Sequence, residues 1–131
     1  MHRRTAAAAL AGLLLLTAAC GDGGAGDAAA ACSTAPVPAE DPGADDAAGV
    51  STERRDAYAQ AAELAASAAE EDARWRDLAG GYATLSDTAA QVVATGGGES
   101  ALSDEQLTGL VTQVVAASAA VRRLCAVAEV S

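Results

Sequence analysis

The chain has no lysine, phenylalanine, isoleucine or asparagine, and its single histidine is His2. Beyond the first residues it therefore lacks the imidazole and amine groups that most often serve as general bases and nucleophiles. Basic residues are scarce too, because 8 arginines stand against 18 aspartates and glutamates, and the net charge is −10. So acidic a chain repels the phosphates of nucleic acid. We expect neither an enzyme nor a nucleic-acid-binding protein.

The first nineteen residues have the pattern of a signal peptide. Arg3 and Arg4 precede an apolar run that contains the four leucines Leu13–Leu16, and small residues follow. This order of a basic start, an apolar run and small residues is typical of export signals. The run is too short to cross a bilayer, which needs roughly 20 apolar residues. We therefore assign residues 1–19 to a signal peptide.

The apolar run ends in the sequence Leu-Thr-Ala-Ala-Cys, residues 16–20, which resembles the lipobox of bacterial lipoproteins. Thr17 departs from that pattern, since leucine is commoner at this position. The resemblance implies that Cys20 carries diacylglycerol, that cleavage occurs just before it, and that the rest of the chain lies on the extracytoplasmic face of the cell membrane. The alanine-rich composition resembles the small helical lipoproteins of actinobacteria, which implies a compartment and a fold but no activity.

The other two cysteines, Cys32 and Cys125, form an even pair once Cys20 carries lipid. Disulfides persist outside the cytoplasm, so we predict a bond between them. Closing a loop of this length should stabilise the fold by about 4–5 kcal/mol. With one tryptophan, two tyrosines and no phenylalanine, the core is thin and needs such a covalent support. The bond would leave residues 21–31 as a free leash with a span of ~18 Å.

The rest of the chain divides into a lipidated tether and a helical domain. Residues 20–50 hold all three prolines, many glycines and no arginine, which predicts a disordered tether. From residue 51 to residue 131, apolar positions recur in steps of three and four, as on an α-helix. They form two stripes, comprising Ala57, Ala61, Leu64, Ala68, Glu71, Trp75, Leu78, Tyr82, Leu85, Ala89 and Val92 in the first, and Leu107, Leu110, Val114, Ala117, Val121, Leu124 and Ala128 in the second.

The two stripes can pack as antiparallel helices, with Trp75 opposite Leu124 and Tyr82 opposite Ala117. Ser103 and Gln106 predict a capping box at the start of the last helix. Residues 52–70 then lack a partner, and two solutions exist. A turn at residues 70–72, with Asp72 as N-cap, would give an all-α, small three-helix bundle. Alternatively, one long first helix would form a helical hairpin with an overhanging arm. Burial of the arm's apolar face favours the bundle.

These features favour a membrane-anchored cell-envelope lipoprotein that acts as a protein-interaction or scaffold domain. Its partner would be an envelope protein or a second copy of the chain. Tyr58 on the first helix and the outward-facing Val111, Val115 and Val130 on the last are the predicted contact residues. The alternative is a small-ligand-binding lipoprotein, although an alanine-packed bundle should leave little room for a pocket. We expect no cofactor and no metal site.

Overall fold

The computed structural model describes residues 23–43, 47, 49–96 and 102–130. The predicted signal peptide and Cys20 lie outside the described residues. Within this part of the chain all regular structure is helical, which confirms the all-α prediction. The elements are α1 (Ala25–Thr34), α2 (Thr52–Glu71), a 3₁₀ turn (Ala73–Trp75), α3 (Arg76–Ala94) and α4 (Asp104–Glu129).

Helix α1 lies in the segment predicted to be a tether, so that prediction is wrong for residues 25–34. Its buried residues Ala25, Ala28 and Ala31 recur every three positions along one face. Alanine has the highest helix propensity, and its small side chain allows close helix packing. Because α1 packs on α2 and α4, the described part of the chain forms a four-helix bundle in place of the predicted three-helix bundle.

The start of α1 is fixed beside the end of α2. Gly24 has a left-handed backbone with φ of 78°, and a Cβ atom at this position would lie 2.5 Å from the carbonyl oxygen of Ala68. Only glycine satisfies both conditions without strain. One turn further, the Ser67 hydroxyl donates a hydrogen bond of 2.6 Å to the Asp27 carboxylate. Helices α1 and α2 therefore run antiparallel from this point.

The chain turns at residues 70–72, as the bundle prediction required. Helix α2 ends at Glu71, which is exposed, and Asp72 adopts an extended backbone. The Asp72 carboxylate accepts a 2.9 Å hydrogen bond from the backbone N–H of Arg74, so it caps the 3₁₀ turn that leads into α3. The single long helix of the alternative hairpin is therefore wrong.

Helices α3 and α4 pack antiparallel with the predicted stripes facing inward. A Cβ atom added at Gly81 would lie 2.8 Å from Val121 Cγ2 and 3.4 Å from the carbonyl oxygen of Ala117, so the two helices meet there at close range. This contact agrees with the predicted pairing of Tyr82 with Ala117. The predicted capping box of Ser103 and Gln106 is also present at the start of α4. The buried stripe residues on these helices are Leu78, Tyr82, Leu85, Ala89, Val92, Leu110, Ala117, Val121 and Ala128.

The predicted disulfide is present and joins α1 to α4. Cys32 and Cys125 are bonded across 93 residues of sequence, with their Cα atoms 5.7 Å apart. Beside the bond, the Tyr82 hydroxyl donates a 3.0 Å hydrogen bond to the carbonyl oxygen of Ala35, at the end of α1. A covalent link and a buried hydrogen bond thus hold the same end of α1 against α3 and α4.

Helix α4 is the one described helix long and apolar enough to cross a membrane, with a mean hydropathy of 1.5 over its most apolar stretch. Helices in the core of a soluble domain meet the same test. In this structure α4 packs along α3 and is bonded to α1 through Cys125. We therefore describe it as one wall of the bundle.

Candidate ligand-binding cavity

The described residues between α1 and α2, namely 35–43, 47 and 49–51, lie across the bundle, and we call them the strap. Its middle is held by Arg122 of α4, whose guanidinium lies 2.7 Å from the Asp41 carboxylate. The same side chain donates a 3.1 Å hydrogen bond to the carbonyl oxygen of Pro38. Near α2, Ala47 packs with Val92 and Leu110 in a second apolar cluster. The strap is therefore attached to the helices at both ends.

A cavity of about 410 Å³ lies between the strap and helices α2, α3 and α4. It occupies the half of the bundle beyond the reach of the ten-residue helix α1. Side chains from all three helices and from the strap form its apolar lining, including Leu85, Ala89, Val114, Val37 and Val50. Its volume falls within the range of about 300–1,000 Å³ that small-molecule sites occupy in proteins.

Two buried hydroxyl residues line this cavity, Thr88 of α3 and Ser118 of α4, each 3% exposed. Thr88 Oγ1 donates to the carbonyl oxygens of Thr84 and Leu85 within its own helix. Among the residues that the structure describes, none forms a hydrogen bond with the Ser118 hydroxyl. No side-chain nitrogen or oxygen atom of the described residues is both buried and without a hydrogen-bond partner, so the unbonded Ser118 oxygen keeps access to solvent. Ser118 is therefore available to bond a molecule that enters the cavity.

At the α2 side of the cavity, Arg54 and Tyr58 lie one helical turn apart. Arg54 Nη1 donates a 3.3 Å hydrogen bond to the Tyr58 hydroxyl, and the guanidinium lies 5.9 Å from the centre of the tyrosine ring. Within the described residues Arg54 has no acidic partner, unlike Arg55, Arg74 and Arg122. The cavity edge thus carries an uncompensated cation and, beside it, a phenol whose proton remains available for donation.

The nearby Tyr82 has a structural role. Burial raises its pKa to about 12, and the charge of ionised Tyr58 adds to this shift. Tyr82 therefore stays neutral at physiological pH and keeps the proton with which it bonds the carbonyl oxygen of Ala35. Within the described residues, no group of three His, Cys, Asp or Glu side chains is placed to hold a metal ion. The cavity lining offers hydroxyls, the guanidinium of Arg54, the carboxylates of Glu40 and Asp41, and apolar surface.

The predicted contact residues have different environments. Tyr58 is buried and forms part of the cavity wall, so a protein partner could not use it as a flat surface contact. Val111 is half-buried against the cluster of Ala47, Val92 and Leu110, whereas Val115 is half-buried outside both apolar clusters. Val130 is 85% exposed. The structure brings none of the three valines into the cavity lining described above.

Comparisons of this chain with protein-family models, with curated proteins and with solved structures find no match. Arg54 and Ser118 were not among the residues predicted from the sequence. One signal was present for Ser118, because it follows Leu110 and Val114 at the helical spacing of four and so lies on the inward side of α4.

Proposed function

We propose that the mature chain is a lipid-anchored cell-envelope protein that binds a small amphiphilic carboxylate in the cavity beneath the strap and does not convert it. The observation that carries this proposal is the partly apolar cavity of about 410 Å³ with the unpartnered hydroxyl of Ser118 in its wall. A ligand in the cavity could bond this hydroxyl, because no protein group among the described residues does so. Because of this cavity, we favour small-ligand binding over the scaffold role that the sequence favoured.

The lining defines the class of ligand. Leu85, Val114 and Val37 provide apolar surface for a hydrocarbon body. Arg54 presents a planar guanidinium, which pairs best with a carboxylate through two parallel hydrogen bonds. The Tyr58 hydroxyl beside it can donate a third hydrogen bond to the same carboxylate. Two acidic residues of the strap, Glu40 and Asp41, also line the cavity, and Asp41 is paired with Arg122. A carboxylate ligand would therefore have to bond at Arg54, the basic residue of the lining.

Export and anchoring are supported by the lipobox-like sequence that ends at Cys20, and the disulfide between Cys32 and Cys125 agrees with an oxidising compartment. An acidic domain has no electrostatic hold on anionic lipids, so the acyl chains must supply the attachment. Replacing Cys20 with alanine should abolish lipid attachment and leave the protein uncut or shed. Mass spectrometry of the wild-type protein that finds Cys20 free of lipid would refute the anchor.

Calorimetric titration with decanoate tests the binding proposal, using the oxidised mature chain with Cys20 replaced by serine so that no detergent is needed. We expect saturable binding of decanoate and much weaker binding of decanol and decylamine. Arg54→Gln should weaken decanoate binding by about 10-fold or more, because a charged hydrogen bond is worth about 1.5–3 kcal/mol. Arg55→Gln is the matched control, since Arg55 pairs with Asp56 and is not among the lining residues. Equal binding of all three probes would refute a carboxylate site.

Protein interaction remains a second proposal, because α4 leaves most of its apolar stretch only partly buried. Val115 is the predicted contact residue that best fits this role, since it lies outside the apolar clusters of the described core. A cysteine at Val115 should crosslink to an envelope protein or to a second copy of the chain in intact membranes. Without crosslinks at this position, the interaction proposal would have no support.

A further inference from the structure

The beginning of the described chain is fixed to the bundle much closer to Cys20 than the sequence suggested. The indole N–H of Trp75 donates a 3.0 Å hydrogen bond to the carbonyl oxygen of Gly23, and Gly24 fits against the backbone of Ala68. Only residues 21 and 22 separate Cys20 from Gly23. A fully extended chain of this length spans at most ~11 Å. The predicted leash of residues 21–31 is therefore wrong over most of its length.

Gly23 lies at one particular end of the bundle. Helix α1 begins there, α2 ends there and the 3₁₀ turn crosses it. Helix α4 runs toward this end antiparallel to α3 and passes Cys32 at Cys125, about two turns of α1 beyond Gly23. We call this the anchor end, comprising residues 23–25 and 68–76, and we include the last turn of α4, residues 127–130. A lipid on Cys20 can lie no further than ~11 Å from it.

We propose that the anchor end rests on the phospholipid surface and that the cavity lies in the half of the bundle turned away from the membrane. This orientation depends on the lipid anchor of the proposed function. The short connection to Cys20 keeps the anchor end within ~11 Å of the lipid-bearing residue.

The surface of the anchor end suits a phospholipid head-group layer. Val130 and Val127 are the exposed large hydrophobic residues in the described part of the chain, at 85% and 43% exposure, and both lie at this end. This end also holds Arg74 and Arg76 together with the carboxylates of Glu70, Glu71, Asp72 and Glu129, and Arg74 is paired with Asp72. The contact with the head groups therefore depends on the valines, which can enter the interface.

The cavity lies beyond the membrane surface in this orientation. Leu85 in its wall follows Trp75 by ten residues along a nearly continuous helix, which corresponds to ~15 Å of rise. Arg54 and the start of α2 are further still from the anchor end, because α2 is antiparallel to α1. A ligand would therefore reach the site from the aqueous phase outside the membrane.

Fluorescence quenching on vesicles tests this orientation with two matched positions. Thr108 and Ala126 are both exposed on α4 and lie on the same outward face, five helical turns or ~27 Å apart. A cysteine introduced at either position is the only reactive thiol, since Cys32 and Cys125 are bonded and Cys20 carries lipid. Each full-length lipidated variant is labelled with an environment-sensitive dye and inserted in phosphatidylcholine–phosphatidylglycerol vesicles that contain a head-group quencher.

The label at Ala126→Cys should be quenched several-fold more strongly than the label at Thr108→Cys, and its emission should shift to the blue. Adding Val127→Ser and Val130→Ser should reduce the quenching at position 126. Equal quenching at the two positions, or stronger quenching at position 108, would overturn the orientation. Vesicle flotation and the mass of the Cys20 peptide test the lipid anchor separately. If the protein floats with the vesicles and carries lipid on Cys20, but the labels at positions 108 and 126 are quenched equally, the orientation is refuted and the anchor is not.

Discussion

Replacement of Trp75 is the strongest test of how the bundle is held together at the anchor end. The side chain is completely buried, and its N–H is bonded to the carbonyl oxygen of Gly23. The Arg74 guanidinium lies 4.6 Å from the centre of its ring. Trp75→Ala removes the ring from the core and leaves the carbonyl oxygen without its donor. Substitutions of this kind lower the free energy of unfolding by about 3–5 kcal/mol.

A second variant separates packing from hydrogen bonding. Trp75→Phe keeps most of the apolar contact but loses the bond to Gly23, so its expected cost is about 1–2 kcal/mol. Urea unfolding of the oxidised mature chain, followed by far-ultraviolet circular dichroism, gives each free energy by linear extrapolation. Glu71→Ala is the control, because Glu71 is an exposed residue at the same turn. Its unfolding free energy should differ from wild type by less than about 0.5 kcal/mol.

An unfolding free energy for Trp75→Ala equal to that of wild type would refute the packing described for this turn. If Trp75→Phe loses as much unfolding free energy as Trp75→Ala, the separate contributions assigned to ring packing and to the hydrogen bond with Gly23 are contradicted. If Trp75→Ala fails to fold, the unfolding free energy of Trp75→Phe still tests the hydrogen bond to Gly23, since phenylalanine keeps most of the core filled.

Reduction of the bond between Cys32 and Cys125 should lower the free energy of unfolding by about 4–5 kcal/mol, because the bond closes a loop across 93 residues. A change below about 1 kcal/mol in urea unfolding would contradict this entropic account. Gly81→Ala should be less stable than Gly80→Ala by about 1–3 kcal/mol, since a Cβ at position 81 meets a side chain at 2.8 Å whereas nothing lies within 4 Å at position 80. Equal melting temperatures would argue against the close contact of α3 and α4. The pKa of Tyr82 is about 12 in the folded state, against an ordinary value of 10.0, so the folded state holds this proton more tightly than the unfolded chain. The contribution of Tyr82 to the free energy of unfolding should be fully present below pH 10. It should fall by roughly 2–3 kcal/mol as the pH rises to 12. Tyr82→Phe should remove this pH dependence of the unfolding free energy. If the variant shows the same fall between pH 10 and pH 12, another group causes it.

Much of the fold could be predicted because its signals are local. The two apolar stripes, the capping box at Ser103 and the capping aspartate at position 72 depend on residues a few positions apart. The disulfide followed from cysteine count and compartment. Helix α1 carried no comparable signal, because its buried residues are all alanines and glycines stand just before and within it. Those alanines are buried only because Ala61, Ala65 and Ala68 on α2 are equally small, and one sequence does not reveal that match.

The cavity could not be predicted because contacts between distant residues create it. The strap crosses the bundle where Arg122 bonds Asp41, 81 residues earlier in the chain, and where Tyr82 bonds Ala35. The residues of each pair are far apart in the sequence, so no local sequence pattern predicts either contact. Tyr58 was predicted as a partner contact, whereas the structure places it, buried, in the cavity wall.

The bond between Cys32 and Cys125 also determines what a protease can remove from this protein. It encloses the strap, α2, α3 and most of α4 in one covalent ring of the chain. A single cut anywhere in that ring, including the strap or the segment before α4, would leave both resulting pieces joined. With lipid on Cys20, twelve residues before the first bonded cysteine, a nicked molecule would stay whole on the membrane. Release of the domain into the medium would require a cut between Cys20 and Cys32, where α1 is packed against α2 and protected, or reduction of the disulfide after a cut in the ring.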